Sequence, residues 1–159
     1  MSNIRIGFGV DVHRLDKDRD LYLGGVKIPS DLGAVGHSDA DVLIHAICDA
    51  ILGACNLGDI GYHFPDTDNQ YKNIDSKIIL KKVSILMSQE GFSLVNIDST
   101  VILEKPKLAP HLNAMKKTLS EILNMSSSDI SIKATTHEKV DSFGKKEAIK
   151  AYAVCLLAK

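Results

Sequence analysis

The residues that most restrict this chain lie at its start. Ile4, Ile6, Phe8, Val10 and Val12 alternate with small or polar residues. A period of two predicts a β-strand from about Ile4 to His13. In such a strand Asp11 and His13 share the face opposite Val12. Two polar groups then stand at one end of one face, where a ligand site can open. The chain must therefore build a sheet whose first strand ends on a carboxylate and an imidazole.

The rest of the chain supplies partners for that strand. Asp16 to Asp20 is a charged, solvated loop. Leu21–Leu23, Gly24-Gly25 and Val26–Ile28 predict a short hairpin, followed by loop from Pro29 to Gly36. Ser38, Asp39 or Asp41 can cap a helix running to about Asn56, with Leu43, Ile44, Ile47, Ile51 and Leu52 at helical spacing. The same helix carries Asp41, His45 and Asp49 at i, i+4 and i+8. That stripe makes His45 a candidate ligand, with carboxylates beside it to orient the ring. Gly58 to Gly61 ends the helix, and a loop rich in carboxylates follows from His63 to Asp68. A second helix from about Ser76 to Glu90 has Asp75 as its cap, Gly91 as its stop and Ile78, Ile79, Val83, Leu86 and Met87 as its buried stripe. Leu94 to Leu103 reads as a strand, broken by Pro106 to Pro110. A helix from about His111 to Leu123 and strands over Ile130–Thr136 and Ala148–Leu157 complete the order. This pattern predicts a single-domain α/β sandwich, a mixed sheet covered on one face by helices.

Bulk properties exclude several function classes. The 159 residues carry 19 basic against 20 acidic side chains, a net charge of −1, which gives no electrostatic case for nucleic acid or an anionic membrane surface. Trp is absent and aromatics make up 5%, too few for a base-stacking platform. No apolar run approaches the ~20 residues of a membrane span. Cys48, Cys55 and Cys155 are odd in number and lack ligand spacing, so they are expected to be reduced core residues in a reducing compartment. The first strand starts at Ile4 and leaves no room for a signal peptide. The expected setting is cytoplasmic, or plastid stromal with a transit segment removed.

A second ligand-rich segment, His37-Ser38-Asp39-Ala40-Asp41-Val42-Leu43-Ile44-His45, gives the Asp-x-His pair its meaning. Asp11, His13 and one of these histidines make an N/N/O set suited to zinc or a similar divalent ion. Three protein ligands and an open position form a catalytic pattern. Spacing does not settle which histidine binds. The mid-helix position favours His45, leaving His37 to face substrate. Lys133 to Lys139 places Thr135 and Thr136 beside Glu138. Hydroxyls and a carboxylate at a strand end suit phosphate and a second hard cation, or form a solvated strand end. Glu104 to Leu108 is a basic, Pro-containing turn where Lys107 could pair with phosphate or stay solvated. No P-loop and no GxGxxG is present.

These segments, with Gly7-Phe-Gly-Val-Asp-Val-His13, Leu23-Gly-Gly-Val-Lys-Ile-Pro29, His37-Ser-Asp-Ala-Asp41, Leu57-Gly-Asp-Ile-Gly61, Phe64-Pro-Asp-Thr-Asp68 and Lys133-Ala-Thr-Thr136 in order, resemble the 2-C-methyl-D-erythritol 2,4-cyclodiphosphate synthase family. The resemblance runs over essentially the whole chain. It implies an intramolecular attack that forms a cyclic diphosphate and releases CMP, in non-mevalonate isoprenoid biosynthesis. It implies zinc on Asp11, His13 and His45, and Mg²⁺ or Mn²⁺ on Glu138 with the substrate diphosphate. His37 and Thr136 would be the catalytic groups, and His37 and Ser38 would contact phosphate. Val12 would lie in the substrate site with its two neighbours. Asp59, Ile60 and Gly61, with Phe64, Pro65, Asp66, Thr67 and Asp68, would hold the methylerythritol portion. Leu103, Glu104, Lys105, Pro106, Lys107, Leu108 and Ala109 would form the cytidine-diphosphate pocket, joined by Thr135, Thr136 and His137. The family is a homotrimer with active sites between subunits. Where it commonly reads Leu-Gly-Phe-Thr-Gly-Arg-Gly-Glu-Gly, this chain reads Val140-Asp-Ser-Phe-Gly-Lys-Lys-Glu-Ala148. Lys145 thus stands for an arginine as a substrate contact, and the two are not equivalent at a bidentate phosphate site. A zinc hydrolase and a metal-dependent cytidine-nucleotide binding module are the rival readings.

Overall fold

The computed structural model describes residues 3–159. In chain order they form β1 (Ile4–Asp16), β2 (Leu21–Leu23), β3 (Val26–Ile28), β4 (Gly33–Val35), α1 (Val42–Cys55), α2 (Ile60–His63), α3 (Ser76–Gln89), β5 (Ser93–Ile102), α4 (Leu112–Leu123), β6 (Ile130–Thr135), α5 (Asp141–Gly144) and β7 (Ala148–Ala158). Five strands make one mixed sheet in the order β4-β1-β7-β5-β6, and β2 pairs with β3 apart from it. β1 runs antiparallel to β7, from Ile4 opposite Ala158 to Arg14 opposite Ala148. Only β5 and β6 are parallel.

Two short elements replace expected loop. Gly33–Val35 pairs antiparallel with the end of β1, Val35 opposite Arg14, and so becomes an edge strand. Ile60–His63 closes one helical turn because the Asp59 side chain accepts the Tyr62 N–H at 2.9 Å. Both were hidden because three or four residues show no periodicity. In α3 the expected stripe needs one correction: Ile78 is half exposed, and Leu80 takes the buried place.

Helix α1 explains the layering. Almost all of it is buried, from Val42 to Cys55, between the sheet and α3. It lies so close to β1 that a Cβ on Gly7 would stand 1.8 Å from the Ala50 carbonyl oxygen. Only glycine fits such an approach. The helix-facing side of β1 is therefore given to Arg5, Gly7, Gly9, Asp11, His13 and Leu15, and its apolar series turns the other way. Ile6 is 73% and Phe8 62% exposed, and Val10, Val12 and Val154 extend the same uncovered face. A contiguous apolar patch of this kind marks an interaction surface. The three cysteines are free and buried. Burial pushes the Cys155 thiol up to about 12, so it behaves as a core residue, not a nucleophile.

Candidate active site

The end of β1 and the second turn of α1 bring three side chains together. Asp11 Oδ2 lies 2.9 Å from His13 Nε2 and 3.0 Å from His45 Nδ1. The two ring nitrogens are 3.3 Å apart. Ligand atoms on one tetrahedral zinc, at bonds of about 2.0–2.1 Å, are separated by roughly 3.3–3.4 Å. The group can hold a divalent ion. His13 Nδ1 is 3.0 Å from the Val35 carbonyl, which only accepts, so that nitrogen carries the proton. A neutral His13 then turns a lone pair toward the Asp11 carboxylate. Two acceptors that close need a cation or an added proton between them, and this donor chemistry fits a metal. Burial works against charge on Asp11, but hydrogen bonds and attraction from His13 and His45 outweigh it and hold the carboxyl well below the usual range. Burial likewise opposes a charge on His45, and the Asp11 hydrogen bond and charge raise it all the same.

Of the three candidate caps the structure selects Asp41, while the expected orienting of His45 by the acidic stripe is not made by hydrogen bonds. Asp41 is fully buried as the helix N-cap and accepts from the backbone N–H groups of Ile44, Gly24 and Gly25 at 3.0, 3.0 and 2.7 Å. Asp49 accepts from the Ile60 N–H at 2.8 Å. Both carboxylates serve backbone amides and make no hydrogen bond to the His45 ring, though the Asp41 charge helps raise it. The ring is held instead by hydroxyls: His45 Nε2 is 2.9 Å from Ser76 Oγ and 3.2 Å from Ser38 Oγ. Sequence reasoning missed Ser76, which looked like ordinary first-turn helix, and missed Asp39 as its partner.

The three ligand residues form part of the wall of a cavity of about 300 Å³, together with His37, Ser38, Ile60, Gly61, Phe64 and Asp66. His37 Nε2 is buried without a hydrogen-bond partner among the described residues and is open to a ligand oxygen. A second cavity of about 230 Å³ is lined by Leu103, Glu104, Pro106, Lys107, Leu108, Ala109, Thr135 and Thr136. Glu104 Oε2 is buried there without a partner as well. The two linings share no residue.

A model of the YgbB family matches residues 4–158. The chain belongs to that family. A 2-C-methyl-D-erythritol 2,4-cyclodiphosphate synthase of Parabacteroides distasonis is 61% identical over 154 residues, 97% of this YgbB chain and 96% of that protein. The CDP complex of IspF from Plasmodium falciparum superposes with a TM-score of 0.86 at 38% identity, covering 98% of this chain and 96% of that one. The bifunctional IspDF of Campylobacter jejuni superposes with a TM-score of 0.96 at 40% identity. There 99% of this chain corresponds to 43% of the longer protein.

Within this YgbB fold the remaining expected residues take varied places. Val12 is 51% exposed and points its side chain to the open sheet face, away from Asp11 and His13. Asp59 and Asp68 spend a carboxylate oxygen on capping, and Pro65 and Thr67 lie in the turn between them. Lys105 lines a separate hollow with Pro29 to Leu32 and Lys146. Glu138 stands outside the Asp11 group, and its Oε1 accepts the Thr136 hydroxyl at 2.9 Å. His137 Nδ1 is 2.9 Å from Asp141 Oδ2. Lys145 is exposed at the end of α5. The loop holding these groups is strained, with Glu138, Lys139, Asp141 and Lys146 all at positive φ. Such residues gather at ligand sites.

Proposed function

We propose that this chain converts 4-diphosphocytidyl-2-C-methyl-D-erythritol 2-phosphate to 2-C-methyl-D-erythritol 2,4-cyclodiphosphate and CMP, as a single catalytic domain of non-mevalonate isoprenoid synthesis. The observation that carries this reading is the open Asp11/His13/His45 group in the wall of a cavity that also holds His37 and Ser38. The 2-phosphate oxygen attacks the β-phosphorus. The bond from that phosphorus to the bridging oxygen breaks, and CMP leaves with the oxygen. The nucleophile is a phosphate ionised near neutral pH, so the site needs no general base.

The difficulty is to bring two anions together. Asp11, His13 and His45 would hold zinc, and Glu138 would hold Mg²⁺ or Mn²⁺ with the diphosphate, supplying positive charge and alignment. The unpartnered His37 Nε2 and the Ser38 hydroxyl reach phosphate oxygens from the cavity wall. Ile60, Gly61, Phe64 and Asp66 enclose the methylerythritol portion. Leu103 to Ala109 take the cytidine, Lys107 places a point charge near its phosphates, and the Thr135 and Thr136 hydroxyls turn from the Thr136 carbonyl and Glu138 to donate to them. Folding a flexible substrate between two cavities supplies a near-attack geometry.

The two cavities belong to different halves of one site in this reading. Copies of the chain pack as a homotrimer through the exposed Ile6, Phe8, Val10 and Val154 face, and the neighbour's cytidine pocket meets the metal group. No described helix is long and apolar enough to cross a membrane, and three reduced cysteines fit a cytoplasmic or stromal setting.

Phosphorus NMR of the protein with substrate and Mg²⁺ tests the assignment. The expected products are CMP and a cyclic diphosphate. An open diphosphate or monophosphate would mean a zinc hydrolase, and CDP binding without turnover would mean a nucleotide-binding module.

A further inference from the structure

The direction of the hydrogen bonds behind His45 is fixed by Asp39 and Ser76, which lie outside the lining of the cavity of about 300 Å³. Asp39 receives three donors: the Ser76 N–H at 3.0 Å, the Asp41 N–H at 3.2 Å and the Ser76 hydroxyl. A serine hydroxyl has one hydrogen. Ser76 gives it to Asp39, so toward His45 Nε2 its oxygen can only accept. The ring nitrogen 2.9 Å away must then be the donor. A neutral ring protonated at Nε2 leaves a lone pair on Nδ1, the atom that faces Asp11 and His13.

We infer that Asp39 and Ser76 are positioning residues that lock His45 in the Nε2–H tautomer and so aim its Nδ1 lone pair at the metal. The pair is well placed for this role. Ser76 is fully buried, and Asp39 reaches it from the loop before α1 while Ser76 opens α3. Three chain segments therefore meet at one imidazole. The lock also acts on Ser38. Its oxygen already accepts the Ala40 N–H at 3.1 Å and lies 3.2 Å from His45 Nε2–H. The single Nε2–H is shared between the Ser76 and Ser38 oxygens, so Ser38 too can only accept from the ring and its hydroxyl hydrogen is free for the cavity. The opposite tautomer would draw that hydrogen back to His45 and remove a donor from the phosphate site.

This inference rests on the metal reading of Asp11, His13 and His45, and the test separates the two. Zinc affinity is measured by competition with a chromophoric chelator for the wild type, His13→Ala, Ser76→Ala and Ser76→Thr. Thermal unfolding confirms that each variant is folded. Ser76→Ala is expected to bind zinc about 10–100-fold more weakly, and Ser76→Thr, which keeps the hydroxyl, to recover most of the loss. In the metal-free wild type at a pH above the His45 transition, where the ring is neutral, ¹⁵N NMR of the histidines is expected to show the single proton at Nε2, with that pattern lost in Ser76→Ala. Wild-type affinity in Ser76→Ala beside lost affinity in His13→Ala overturns the positioning role and leaves the metal group standing. Undiminished zinc in His13→Ala overturns the metal reading, and the nitrogen pattern then decides the role alone. A His45 ring with the same pattern in wild type and Ser76→Ala overturns it.

Discussion

Gly9 of β1 lies directly under Ala46 of α1, so that a Cβ on Gly9 would stand 2.0 Å from the Ala46 carbonyl oxygen. Ala46 follows His45 in the chain, so this contact sets the height of His45 above the strand that carries Asp11 and His13. Gly9→Ala meets backbone, which cannot swing aside. The helix must lift, at a cost of about 3 kcal/mol, and His45 must rise with it. Chemical denaturation should show the loss, and chelator competition should show weaker metal binding in whatever fraction folds.

His13 donates to Val35 on one side and turns its other nitrogen toward Asp11 and His45. The site is partly exposed, so His13→Ala should leave a folded protein. It should hold less zinc and release no CMP. Full turnover in this variant would sink the proposed chemistry.

Glu138 is exposed and held by Thr136 in a strained turn. Glu138→Ala should leave zinc content unchanged and raise the Mg²⁺ concentration needed for half-maximal rate. An identical Mg²⁺ titration would remove Glu138 from the site.

The charge pair in the metal-free site gives stability with a defined sign. Asp11 is depressed below 3.8, so its contribution is present above that value and is lost as pH falls through its lowered folded value. His45 is raised above 6.5, so its contribution is full below 6.5 and is lost as pH rises through the raised value. Metal-free protein should therefore melt at a higher temperature in weak acid than in weak base. Metal binding should run the other way. Below the His45 value each ion must displace a proton, so affinity falls with pH and calorimetry in buffers of different ionisation enthalpy should detect the released proton.

Phe8 stacks near Tyr152 on the uncovered sheet face, with ring centroids 6.2 Å apart. Phe8→Asp puts a charge where the proposed neighbour packs. Sedimentation should show a monomer. Turnover should vanish while zinc binding, which uses one chain, persists. A trimeric, active variant would refute the shared site.

Particular residues show how far the sequence carried. The period of two placed Asp11 and His13 on one face, and the mid-helix position singled out His45, because both follow from local geometry. The same period could not say which face of β1 is covered. That depends on how closely α1 approaches, and hence on Gly7 and Gly9 together with Ala46 and Ala50. Asp41 read both as a candidate cap, which it is, and as a carboxylate beside a histidine; its further partners, Gly24 and Gly25, arrive only when the hairpin folds against the helix start. Ser76 was invisible for the same reason: its hydroxyl meets His45 only through the packing of α3 on α1. Apart from the Asp11, His13 and His45 group, which ligand chemistry joined across β1 and α1, contacts along one element were legible and contacts between elements were not.

The metal donors come from two elements, the end of β1 and the second turn of α1. An ion bound by all three is therefore a cross-link between strand and helix that forms only in the folded state. At a free concentration 100 times its dissociation constant such a ligand adds about 2.7 kcal/mol to stability. The melting temperature of this protein would then gauge the free metal around it, and scarcity of the ion would reach the chain as a larger unfolded fraction.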